Sequence, residues 1–151
     1  MKSLRLVLLM FIVFAFACSS CNKSDTNPLI ISISLKANGT LKSSGAPVAV
    51  FYQSSSTLQL SAVFNTTEGL SIMVPNAAVG SFDVATNNLT VTYSPDANFV
   101  DTYFGSVGSV TITTLTSTLV AGTFQFTGPN GGNSVGVITE GKFQSTLSLQ
   151  P

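Results

Sequence analysis

Histidine and tryptophan are absent from this chain of 151 residues, cysteine occurs only twice, and the charged side chains are six basic and six acidic. Each absence removes a class of chemistry. Without histidine a Ser-His-Asp or Cys-His relay has no base. Both thiols, Cys18 and Cys21, lie close to the start, so none remains in the body of the chain for nucleophilic catalysis. Their C-x-x-C spacing cannot complete a tetrahedral metal site when no other cysteine or histidine exists to supply the remaining ligands. The lack of tryptophan takes away the largest aromatic platform for stacking on a sugar ring.

What the chain does contain is apolar and hydroxylic. Apolar residues make up 44% and include 11 phenylalanines, whereas charged residues make up 8%. That apolar content is enough to build a core, so disorder is excluded. With so little charge, the surface must be solvated by serine, threonine and asparagine. The length suits one folded domain.

The first residues do not belong to that domain. Lys2 and Arg5 precede an uncharged, mostly large and apolar run over residues 6–17, the pattern of a secretory signal peptide. The run is too short for a membrane span, which needs about 20 residues. Next come Phe14, Ala15, Phe16, Ala17 and Cys18, then Ser19, Ser20, Cys21, Asn22, Lys23, Ser24 and Asp25. This junction resembles a bacterial lipobox, in which small residues precede a cysteine that receives a diacylglyceryl group and becomes the first residue of the mature protein. Cys18 is preferred because Ala15 and Ala17 fit the small positions. Cys21 is the alternative, since Ser19 and Ser20 precede it and the polar residues after it resemble the start of many Bacteroidetes lipoproteins. The resemblance implies two or three acyl chains, and two suffice for stable anchoring. Residues 1–17 are therefore expected to be a signal peptide, residues 18–28 a flexible tether and residues 29–151 the folded domain, held at the outer membrane on its periplasmic or outer face. Beyond residue 17 four lysines face six carboxylates, a net charge of −2. No basic face is available for nucleic acid or for anionic lipid.

From Leu29 onward the apolar period is two. Ile31, Ile33 and Leu35 alternate with Ser32, Ser34 and Lys36; Leu58, Leu60, Ala62 and Phe64 alternate with Gln59, Ser61 and Val63; Leu70, Ile72 and Val74 alternate with Ser71 and Met73. Residues 89–93, 110–113, 123–126 and 135–143 repeat the pattern with β-branched and aromatic side chains. Turn signals fall at Asn38 and Gly39 and within residues 44–47, 65–69, 75–80, 87–88, 95–98, 116–118 and 128–133. The expectation is an all-β, single antiparallel β-sandwich or open barrel of about 8–10 strands. Gly122 and Gly136 are expected to mark a bulge or a close approach of backbone. Val110, Ile112, Phe124, Phe126, Val137 and Phe143 are expected to build the core.

The stretch from Gly108 to Leu115, reading GSVTITTL, followed by VAGTFQF over residues 120–126 and VITEGKF over residues 137–143, is similar to the C-terminal pattern of a family of uncharacterised Bacteroidetes lipoproteins. Residues 70–75, 93–95 and 103–109 extend the likeness, so that it spans most of residues 37–143. Ala121 and Glu140 depart from it, standing where serine and asparagine are common. The resemblance implies an address and a fold rather than a reaction.

Candidate chemistry in the domain is sparse. Asp83, Asp96 and Asp101, with Asn87, Asn88 and Asn98, form a weak calcium candidate, because oxygen ligands suit that ion. Turn formation explains the same residues, since Asn and Asp side chains mimic a turn. Tyr52, Tyr93, Phe99, Tyr103 and Phe104 offer a stacking surface for sugar or peptide, with core packing as the plainer account. Lys42 and Lys142 lack the S-x-x-K context that would activate a serine. Asn38, Asn65 and Asn88 stand in N-x-[ST] sequons, which carry no weight in a bacterial lipoprotein. The expectation is a non-catalytic binding or structural module with no cofactor and with a surface glycan or protein as possible partner. A calcium-assisted or carbohydrate-directed accessory domain in nutrient capture is the alternative.

Overall fold

The computed structural model describes residues 29–151; the expected signal peptide and tether, with Cys18 and Cys21, lie outside the described residues. Eleven strands form: β1 (Ser32–Ala37), β2 (Thr40–Ser44), β3 (Val48–Tyr52), β4 (Thr57–Phe64), β5 (Glu68–Val74), β6 (Gly80–Asp83), β7 (Thr90–Ser94), β8 (Tyr103–Phe104), β9 (Val107–Leu115), β10 (Leu119–Pro129) and β11 (Val135–Gln150). They make one sheet ordered β6-β9-β10-β11-β3-β4-β5-β7-β8, from which β1 and β2 branch at β11. The sheet is curled into an open half-barrel, as the alternation predicts. β2, β3, β6 and β8 are short, and none has an alternating run long enough to read in advance.

The fork at β11 gives the fold its shape. Along one edge β11 pairs with β10 over most of its length. Along the other it pairs first with β1, as far as Gln144, and then with β3 from Leu147. Two half-sheets therefore share one strand, β2-β1-β11-β10-β9-β6 and β11-β3-β4-β5-β7-β8. Ser145 is fully buried at the fork, where its Oγ donates to the Pro47 carbonyl at 3.0 Å. The β11–β3 pair is parallel, unlike the antiparallel sheet expected. The edge of β11 beyond Gln144 is vacated by β1, and β3 enters it running with β11. On the far side the chain passes between the halves at Gly105 and Ser106. The Gly105 amide donates to Val91 of β7, and the Ser106 amide to Thr127 of β10.

Inward residues from both halves form one apolar cluster that includes Ile33, Leu35, Leu58, Leu60, Phe64, Ile72, Val110, Ile112, Phe124, Phe126, Ile138 and Phe143. Val137 does not join it and is 42% exposed. The reason is a bulge. Ile138 faces Phe126 and Gly141 faces Phe124, so Thr139 and Glu140 together oppose Gln125. The register on the β1 side shifts at the same point, and Glu140 adopts φ +52°. Before the bulge the even-numbered residues Gly136 and Ile138 point inward; after it the odd-numbered Gly141, Phe143, Ser145 and Leu147 do.

Gly122 sits at a register shift and against backbone, as expected, whereas what comes close to Gly136 is a side-chain ring rather than backbone. A Cβ on Gly136 would lie 2.5 Å from the Tyr103 ring, and one on Gly122 would lie 2.1 Å from the Thr111 carbonyl oxygen. The turn at Asn38 and Gly39 has φ of +47° and +83°, the two left-handed residues of a tight hairpin. Gly128 and Pro129 belong to β10, so the predicted turn is shortened to begin at Asn130, whose Oδ1 accepts from the amides of Gly132 and Ser134.

Candidate functional site

The outward face of the β2-β1-β11-β10-β9 half-sheet carries an open trough of about 580 Å³, lined by Ser34, Leu41, Ser109, Thr111, Thr123, Gln125 and Lys142 together with Phe124, Glu140 and Gly141. A second depression of about 290 Å³ continues along β1 and shares Ser34 and Lys142. Lys142 thus stands where the two meet.

Strand register explains the lining. Ser43 pairs with Ser34, Ser34 with Lys142, Lys142 with Thr123, Thr123 with Thr111, and Thr111 with Ser81. Every one of these side chains occupies an outward position on its strand. The result is a row of five hydroxyls crossing six strands, with one ammonium in its interior. Thr111 Oγ1 and Ser81 Oγ are 3.1 Å apart within the row. Gln125 and Ser109 pair in the next row.

The bulge decides the charge of this face. Had the alternation run unbroken from Gly136 and Ile138, Glu140 and Lys142 would have pointed into the core. The extra residue turns Lys142 outward. Glu140 is matched by Lys36, whose Nζ donates to Oε1 at 2.7 Å. Lys42 is matched by Glu68 at 2.6 Å. Lys142 alone among the lysines of the described residues has no ion pair.

A second polar cluster is structural in its connections. Glu68 Oε1 accepts from Lys42 Nζ and, at 3.5 Å, from Asn65 Nδ2, while Oε2 accepts from the Tyr93 hydroxyl at 2.6 Å. Partial burial works against the Glu68 charge, but these donors outweigh it and hold the carboxyl below its ordinary value of 4.5. Burial, followed by the Glu68 carboxylate, pushes the Tyr93 hydroxyl well above its ordinary value of 10.0. The cluster ties β2 to β5 and β7, and so joins the two half-sheets.

The structure separates the other sequence candidates. Asp83 Oδ1 accepts from the amides of Ala85 and Thr86 and from the Thr86 hydroxyl, and these bonds lower its pKa. Asp96 accepts from the Asn98 amide and Asp101 from Asn130 Nδ2. Among the described residues these carboxylates are not gathered into a metal-holding group; Asp83 and Asp96 close their own turns, and Asp101 ties its loop to the turn at Asn130. Tyr93 lies in the core at 3% exposure, Tyr103 packs over Gly136, and Tyr52, Phe99 and Phe104 are exposed at the end of β3, in the loop before β8 and in β8 respectively. With Tyr93 in the core, the five aromatics do not form one platform. From sequence Lys142 is weighed only as a base for serine and Phe124 only as core; the trough's hydroxyls are ordinary polar partners in alternating strands. Only register and the bulge align them.

Fold and site together define a small all-β domain, a half-barrel with a polar trough on its outer face. The chain belongs to the family described as domain of unknown function (DUF6252), whose model matches residues 33–146. No curated protein and no solved structure matches the chain.

Proposed function

We propose that this protein is a membrane-anchored bacterial lipoprotein, of the Bacteroidetes type that its sequence resembles, and that its β-domain is a non-catalytic binding module. The observation that carries the binding reading is the trough, whose hydroxyl row both donates and accepts hydrogen bonds along an extended, open path. Such a surface suits a polar chain held by many modest contacts. The composition agrees: the chain has no histidine, and both its cysteines precede the domain. A carbohydrate-directed accessory role draws on the same hydroxyl lining. Calcium assistance draws no support from Asp83, Asp96 and Asp101, each of which is engaged by a separate partner.

Anchoring is tested by metabolic labelling with an alkyne-palmitate analogue in cells expressing the full chain. Cys18→Ala should abolish labelling and Cys21→Ala should not. The reverse pattern moves the anchor to Cys21, and labelling that survives both substitutions overturns the lipoprotein reading. Binding is tested on a glycan array with the full-length protein, with and without chelator. Signals that persist in chelator and weaken in Thr123→Val support the module; signals indifferent to Thr123 remove the trough from it.

A further inference from the structure

The trough's one cation has a specific consequence. We propose that Lys142 selects an acidic oligosaccharide, placing its ammonium against a uronic-acid carboxylate while the hydroxyls on either side bind the ring hydroxyls. This rests on the reading of the trough as a ligand face and goes further by naming what occupies it.

Three features point to a saccharide with a carboxylate. The first is charge. Glu140, the carboxylate that lines the same trough, already receives Lys36 at 2.7 Å, so Lys142 presents the uncompensated charge and calls for an anion. The second is the hydroxyl row. Ser34 on one side of Lys142, and Thr123 and Thr111 on the other, line the trough, with Ser43 and Ser81 continuing the row past its ends; hydroxyls donate and accept, which matches a ligand whose own groups are hydroxyls. From β2 to β9 the trough crosses four strand spacings of about 4.8 Å, on the order of 19 Å, enough for several sugar units. Leu41, 67% exposed at the β2 side, offers an apolar contact for the C–H face of a ring.

The third feature disfavours an extended peptide. Such a ligand binds by adding a strand to an open sheet edge. The trough instead runs across β1, β11, β10 and β9, each of which is paired on both edges, with the open edge of β2 only at its rim. The faces of paired strands, not an open edge, confront the ligand.

Isothermal titration of the full-length protein in detergent, with chelator present, would compare an oligogalacturonate with its fully methyl-esterified form. The two share a backbone and differ in charge. The acid should bind at least about tenfold more tightly, the scale of a charge-assisted hydrogen bond. Lys142→Gln should erase that difference, Lys142→Arg should retain it, and Thr123→Val should weaken both ligands. Equal binding of acid and ester, with Thr123→Val weakening both, overturns the charge selection and leaves the trough as a ligand face. Binding indifferent to both Lys142→Gln and Thr123→Val overturns the two readings together. Failure of both ligands to bind, or equally tight binding of hexaglutamate, overturns the acidic-saccharide assignment. Lys142 is exposed and bears no core contact, so unchanged melting of Lys142→Gln separates lost binding from lost folding.

Discussion

Ile138 and Phe143 stand five residues apart on one strand, yet both point into the core, at 1% and 4% exposure. In an unbroken strand an odd separation places two side chains on opposite faces. The Glu140 bulge supplies the missing residue, and the parity change it causes separates Val137 from the core and Lys142 from burial.

This parity is open to direct measurement by denaturation. Ile138→Ala should cost about 2–5 kcal/mol, as expected for emptying a packed core position. Val137→Thr should stay within about 0.5 kcal/mol, as at an exposed site. Comparable losses at the two positions would mean that the strand does not change face.

The left-handed conformation of Glu140 can be tested by the residues it tolerates. Glycine adopts such a φ freely, and the exposed ion pair with Lys36 is worth only about 0–1 kcal/mol. Glu140→Gly should therefore remain within about 1 kcal/mol of the wild-type stability. Glu140→Val, which is β-branched at positive φ, should lose on the order of 1–3 kcal/mol. The difference between the two variants in urea unfolding is the quantity that decides.

Glu68 and Tyr93 predict opposite limbs of a stability profile. The Glu68 carboxyl is depressed below 4.5 in the folded protein, so the stability it confers is present above that value and is lost as pH falls through the folded pKa. The Tyr93 hydroxyl is raised above 10.0, so its contribution is intact below pH 10 and is lost as pH rises beyond it. Glu68→Gln should cost about 1–3 kcal/mol at neutral pH, the range for a charged hydrogen-bonded group, and should flatten the acid limb. An acid limb unchanged by the substitution would show that other carboxylates set it.

At Gly136 the Tyr103 ring occupies the space that a side chain would need. Gly136→Ala should cost about 1–3 kcal/mol, as for overpacking, and thermal melting would register it. A neutral result would mean that Tyr103 moves aside without loss.

The amino-acid sequence by itself determined the all-β class, most of the turns and the buried sets of β1, β4 and β5. Those features depend on local period and on residues such as Asn38 and Gly39 that set the backbone without help from distant partners. It also marked Gly122 as a place of bulge or close backbone approach. Tertiary structure decided the rest. The face on which Val137 lies depends on an extra residue opposite Gln125, which no period within the strand reveals. The parallel β11–β3 pair depends on where β1 begins, at Ser32 opposite Gln144. The alignment of Ser43, Ser34, Lys142, Thr123, Thr111 and Ser81 depends on the registers of five strand pairs, of which β1–β11 and β6–β9 join segments far apart in sequence. Alternation tells which residues face outward; register alone tells which of them face outward together.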